Sequence, residues 1–163
     1  MRRNVLMAGA LALVLAVPAA NAQGKPDFSG TWNRVTDPNA APTGGRGGGR
    51  GGIGMTATIT QDAKTLTITR TTQNGEVKTV YNLDGTDSKN TMTMGGNPVE
   101  QTSKAAWEGS KLVITTNYAM GENAITTKQE FTLDATGQLV VSVTAPGRGG
   151  GEPTTTVATY KKG

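Results

Sequence analysis

From Met55 onward, apolar residues recur at every second position over most of the chain. Met55, Ala57 and Ile59 alternate with threonines, as do Leu66 and Ile68, and Val77, Thr79, Tyr81 and Leu83 share one parity. A weaker segment holds Met92 and Met94, and Val99 to Trp107 follows with Ala105 and Trp107 on one side. Leu112, Ile114 and Tyr118 lie on one face of Lys111–Tyr118; Ile125, Phe131 and Leu133 share a side, as do Leu139, Val141 and Val143. A last segment, Thr154 to Lys161, contains Val157. A period of two sends successive side chains to opposite faces, so each segment predicts a strand with one face in a core and one in water. Turn residues punctuate the pattern at Asp62-Ala63, Asn74-Gly75, Asp84-Gly85, Gly95 to Pro98, Glu108 to Ser110, Gly121 to Asn123 and Asp134 to Gly137. Asn-Gly is the strongest of these hairpin signals, because both residues tolerate positive φ. No window of eleven or more residues after the N-terminal segment carries a helical apolar period. The fold expected is all-β: a single up-and-down antiparallel meander of about 8–10 strands that closes into a barrel and so removes its edges.

Strand parity sharpens this. In a meander of about ten strands, odd-numbered connections lie at one end of the barrel and even-numbered ones at the other. The odd connections include two Gly/Arg-rich tracts, 43–54 and 146–153, together with Asn74-Gly75, Gly95-Gly96 and Met120 to Asn123. The even ones are tight turns led by Asp62, Asp84, Glu108 and Asp134. The barrel is therefore expected to have a loose, arginine-bearing mouth and a tight, acidic-turn floor. Eight glycines, Arg46, Arg50 and Ile53 make the tract Gly44–Gly54 a flexible loop that packs no core.

The N-terminal 22 residues break the pattern. Arg2 and Arg3 precede the uncharged apolar run Val5–Val17, and Ala20-Asn21-Ala22 is a small-x-small cleavage site, so residues 1–22 read as a signal peptide and 23–163 as one domain. The destination is the periplasm or the extracellular space. The apolar run is too short to span a bilayer. The strands are too short and the seven aromatics too few for an outer-membrane barrel, so no stable membrane insertion is expected.

The first strand segment after the signal is Phe28-Ser29-Gly30-Thr31-Trp32. Its alternation puts Phe28, Gly30 and Trp32 on one face, with Gly30 allowing a close approach and Trp32 plugging a small core. Trp107, just before a floor turn, is expected to pair with Trp32 there. Phe28-x-Gly30-x-Trp32 opening a secreted antiparallel β chain resembles the lipocalin-like (calycin-type) group. That resemblance implies a barrel holding a small apolar ligand, with Trp32 as a packing residue. The chain departs from the group at Asn33, where an aromatic often follows the tryptophan, and in lacking an arginine in its last strand.

Composition narrows the chemistry. The formal charge of +4 includes Arg2 and Arg3, so little basic excess remains after the signal. Three loop arginines, Arg46, Arg50 and Arg148, without interleaved aromatics do not make a single-strand nucleic-acid site, and no nucleic-acid partner is expected. The chain has no Cys and no His, which removes disulfides and the commonest general base and metal ligand. Asp84 to Asn90 lacks the ligand spacing of an EF-hand. Gly109-Ser110 lacks a nucleophile elbow, and the remaining acids sit in turns or, like Glu130, between strand positions. No catalytic residue, metal or cofactor is assigned, and the chain is not expected to be an enzyme.

One candidate site remains. If Leu66 and Ile68 point inward, so does Arg70; by the same parity Arg34 follows Trp32, and Tyr118 follows Ile114. Arg34, Arg70 and Tyr118 would then ring the mouth and meet a carboxylate or phosphate head group. The function expected is that of an exported, non-enzymatic barrel binding a small apolar or amphiphilic ligand in its interior. The alternative is a structural or interaction protein of the cell envelope with a filled barrel. Large inward aromatics would favour the alternative.

Overall fold

The computed structural model describes residues 24–36, 52–72, 75–147 and 151–163. The expected signal peptide, Asn74, Arg46, Arg50 and Arg148 lie outside these residues. The described chain is all-β: β1 (Gly30–Arg34), β2 (Thr56–Gln61), β3 (Thr65–Thr72), β4 (Gly75–Asn82), β5 (Ser88–Met94), β6 (Asn97–Glu108), β7 (Lys111–Met120), β8 (Asn123–Leu133), β9 (Leu139–Ala145) and β10 (Thr154–Lys162). All pairings are antiparallel, and the sheet order is β4-β3-β2-β1-β10-β9-β8-β7-β6-β5. First strand pairs with last, Arg34 opposite Tyr160, so the meander curls back on itself and nearly closes into a barrel. The threonines that alternate with the apolar residues line the outer face. There they pair across strands, Thr144 with Thr155 (2.8 Å) and Thr31 with Thr58 (3.3 Å).

The ends of the sheet are β4 and β5, which are consecutive in the chain yet share no backbone ladder. Side chains bridge them instead. Asn90 Oδ1 accepts from the Val80 N–H and Asn90 Nδ2 donates to the Val80 carbonyl, both at 2.9 Å, while Ser88 Oγ accepts from the Asn82 N–H at 2.7 Å. An asparagine amide thus supplies one donor and one acceptor in place of a facing strand. The expectation that every consecutive pair forms a ribbon holds except here, where polar side chains stand between the strands and hold their backbones apart.

The buried side chains form one contiguous core. Phe28, Trp32, Phe131, Leu66, Leu112 and Tyr160 are all buried in it. Trp32 Nε1 donates to the Phe28 carbonyl at 2.8 Å, and Gln61 ties the incoming chain down by accepting from the Phe28 N–H and donating to the Pro26 carbonyl. Trp107 does lie at the floor, but it stacks on Phe28 (5.8 Å between ring centroids, 6° between planes) rather than pairing with Trp32. Phe28, on the segment just before β1, takes the partnership, and its ring centroid also lies 6.1 Å from that of Phe131. Two lysines close the floor from outside: Lys162 Nζ lies 5.6 Å from the Trp32 ring centroid, and Lys25 Nζ 5.6 Å from that of Trp107. A Cβ at Gly30 would come within 2.8 Å of Lys162 Cε, so the glycine is what lets the lysine stem cross β1.

The structure corrects one further sequence expectation and fixes one strand facing that the sequence left open. Ile53 is only 2% exposed and belongs to the core, so the end of the first Gly/Arg tract does pack. On β10 the inward positions are Ala158 and Tyr160, whereas Val157 is 60% exposed. A single apolar residue between glycines, and a tyrosine near the chain's end, carry too little periodic signal to show this.

Candidate ligand site at the mouth

Strand registers show how the interior changes from floor to mouth. The row Trp107, Leu112, Phe131 and Val141 is wholly apolar. The next, Ala105, Ile114, Gln129 and Val143, admits one amide. The third, Ser88, Ser103, Thr116 and Thr127, is a hydroxyl stripe in which Ser103 Oγ and Thr116 Oγ1 are 2.8 Å apart and buried. Above it Gln101 stands opposite Tyr118, and its amide reaches Met92 Sδ at 3.9 Å. Threonine serves both faces, so alternation alone could not reveal this gradient.

Two features occupy the mouth. The first is an open depression of about 310 Å³ bordered by Met94, Asn97, Val99, Ala119, Met120 and Gly121, at the tips of the β5–β6 and β7–β8 hairpins. The second lies on the other arc of the sheet, around the Tyr160 hydroxyl. Ile53 N–H donates to that hydroxyl at 3.1 Å. Gly52 and Gly54 flank Ile53 with φ of 104° and 102°, and a side chain at Gly52 would run into the Tyr160 hydroxyl oxygen. Arg34 is the register partner of Tyr160. The Arg70 stem passes 3.9 Å from where a Gly54 Cβ would sit. Both arginines are half-buried.

Electrostatics at this cluster are one-sided. Burial pushes the Tyr160 hydroxyl above its ordinary value, opposed by the Ile53 N–H and by the charges of Arg34 and Arg70. Burial likewise pushes Tyr81 up to about 12, against the pull of Arg70. Both hydroxyls therefore stay protonated at neutral pH and offer no negative charge to the guanidiniums. Among the described residues the ion pairs are Lys104–Asp87, Lys111–Glu108, Lys111–Glu130 and Lys128–Glu130, none involving either arginine.

Of the three expected mouth residues, Arg34 and Arg70 come together around Tyr160. Tyr118 instead stands between Gln101 and Ile125, on the β6–β8 wall. Sequence reasoning missed Tyr160 and Ile53, which join the two arginines into one cluster. The only available signal was the Gly52-Ile53-Gly54 pattern, an apolar residue set between two residues able to bend sharply. Among the described residues no group of three or more acidic side chains is placed to hold a metal ion. The chain matches no protein-family model, and no curated protein is significantly similar to it.

Proposed function

We propose that the chain is an exported, non-enzymatic, lipocalin-like β-barrel that binds a small apolar or amphiphilic molecule at its mouth. The observation that carries this reading is the open, methionine-edged depression between the β5–β6 and β7–β8 tips. Methionine side chains adapt to irregular apolar shapes. The ligand would sit at the rim, because aromatic and aliphatic side chains occupy the floor. Tyr118, Arg34 and Arg70 remain the polar residues offered to it. No catalytic residue, cofactor, metal or nucleic acid enters this reading, and export to the periplasm or beyond rests on residues 1–22.

The aromatic fill of the floor favours a second reading, an interaction or structural protein of the cell envelope with no small-molecule ligand. Native mass spectrometry of the exported chain, as purified and with added decanol, separates the two. The first reading expects an adduct that Met120→Asp and Val99→Asp each abolish. A bare mass under both conditions would leave only the second.

A further inference from the structure

We infer that Arg34 and Arg70, joined through the Tyr160 hydroxyl and the Ile53 backbone, form one recognition site for an oxyanion head group, a carboxylate or a phosphate. The inference deepens the ligand reading by naming head-group chemistry, and rests on it only for the ligand's apolar part.

Three observations converge on it. First, two permanently charged side chains are half-buried at one place, and among the described residues no carboxylate pairs with either. Holding like charges together away from water is costly unless an anion completes the group. Second, the nearby groups are donors or neutral. The Tyr160 hydroxyl already accepts from Ile53 N–H, which leaves its own proton to offer. Third, the site is fixed from behind. Tyr160 is fully buried, Arg34 is registered against it, and the Gly52–Gly54 segment packs against both Tyr160 and the Arg70 stem. Guanidinium forks match the planar geometry of carboxylate and phosphate oxygens, so the ligand class follows from the donors. Against this stands simple snorkelling, in which each arginine runs its stem past the core and leaves its charge in water.

Calorimetric titration of the full chain with decanoate, decyl phosphate, decanol and inorganic phosphate tests the proposal. Decanoate and decyl phosphate should bind more tightly than decanol. Arg34→Gln and Arg70→Gln should each weaken both anions about tenfold, equivalent to about 1.4 kcal/mol, and leave decanol unchanged. Binding of inorganic phosphate with the same dependence on the arginines would show that the site needs no tail. The wild-type protein gives an independent readout should a variant fold poorly: the Ile53 amide resonance should move with decanoate and stay with decanol. Equal binding of decanol and the two anions, indifferent to both substitutions, would overturn the anion site and leave the ligand reading standing. Failure of all four probes would overturn both.

Discussion

Replacing Gly52 with alanine tests whether the end of the first tract is structure or passing loop. Gly52 has φ of 104°, and the added methyl would meet the Tyr160 hydroxyl oxygen, with Cζ behind it at 3.3 Å. Tyr160 is fully buried and has little room to retreat, so the segment itself must lift. Lifting exposes Ile53, which costs about 1.5–3 kcal/mol, and breaks the Ile53–Tyr160 hydrogen bond, worth about 0.5–1.5 kcal/mol. The sum, about 2–4.5 kcal/mol, is a ceiling, because undocking is always open to the chain as an escape from strain. For a domain of this size it corresponds to roughly 6–13 °C in Tm. Gly54→Ala is the matched control. Its φ is 102°, yet the nearest atom to an added Cβ is 3.8 Å away, so only the backbone term of about 1–2 kcal/mol remains. Tyr160→Phe removes the oxygen that blocks the methyl, so Gly52→Ala made in that background should also cost only about 1–2 kcal/mol. Chemical denaturation of the two single variants and the double yields the coupling directly. Additivity within about 0.5 kcal/mol, or an unshifted Ile53 amide in Gly52→Ala, would refute the docked segment.

Two further outcomes follow from the seam and the floor. Asn90→Ala removes both bonds to Val80, so hydrogen exchange at the Val80 amide should accelerate sharply and stability should fall by about 1–3 kcal/mol; unchanged protection would mean that something other than Asn90 closes the barrel. At low pH, three floor turns should weaken together. Backbone N–H groups of Lys64 and Thr65 hold the Asp62 carboxyl below its ordinary value, and side-chain bonds from Thr86 and Thr136 do the same first for Asp84 and Asp134. Carboxyls depressed in the folded state contribute stability above their unfolded pKa, lost as pH falls through the folded one. Tm should therefore hold from neutrality to about pH 4 and fall below it. The triple variant Asp62→Asn, Asp84→Asn, Asp134→Asn should flatten that acid limb, and an acid limb as steep as wild type would rule the turns out as its source.

Much of the fold was legible because its physical determinants are local and repeated. Alternation of Leu66 and Ile68 with threonine, or of Leu112 and Ile114 with their neighbours, sets both the strand and its facing. Gly85, Gly109 and Gly137 have positive φ at the turns that parity places on the floor. What stayed hidden depends on contacts distant in sequence. The β4–β5 seam turns on Asn90 meeting Val80, and nothing in Ser88-Lys89-Asn90 distinguishes a polar strand from one whose side chains replace a ladder. Ile53 and Tyr160 are 107 positions apart and meet only because β1 pairs with β10. Arg34 and Arg70 were placed inward by parity, but their common centre is a tyrosine on a strand whose visible apolar residue, Val157, faces out. Lys162 was equally silent. This lysine lies over Trp32, with its stem passing Gly30.

The two poles of the barrel differ in how they are held, and that difference bears on where binding can occur. At the floor, Phe28, Trp32, Trp107 and Phe131 interlock, two lysines cover the indoles, and each aspartate turn is cross-bonded within itself. Such an end has little freedom to admit a guest, since any opening breaks aromatic contact and hydrogen bonds together. Upward from it the lining passes through an amide and a hydroxyl stripe to methionines and guanidiniums, groups that change rotamer or accept a new partner at small cost. On the proposed reading, a ligand entering there would displace water from Met94, Val99 and Met120 without repacking the core. Its affinity then depends on rim residues alone, so Phe131→Leu should lower stability while leaving the binding constant of the folded fraction unchanged. A parallel loss of both would mean that the guest reaches the floor after all.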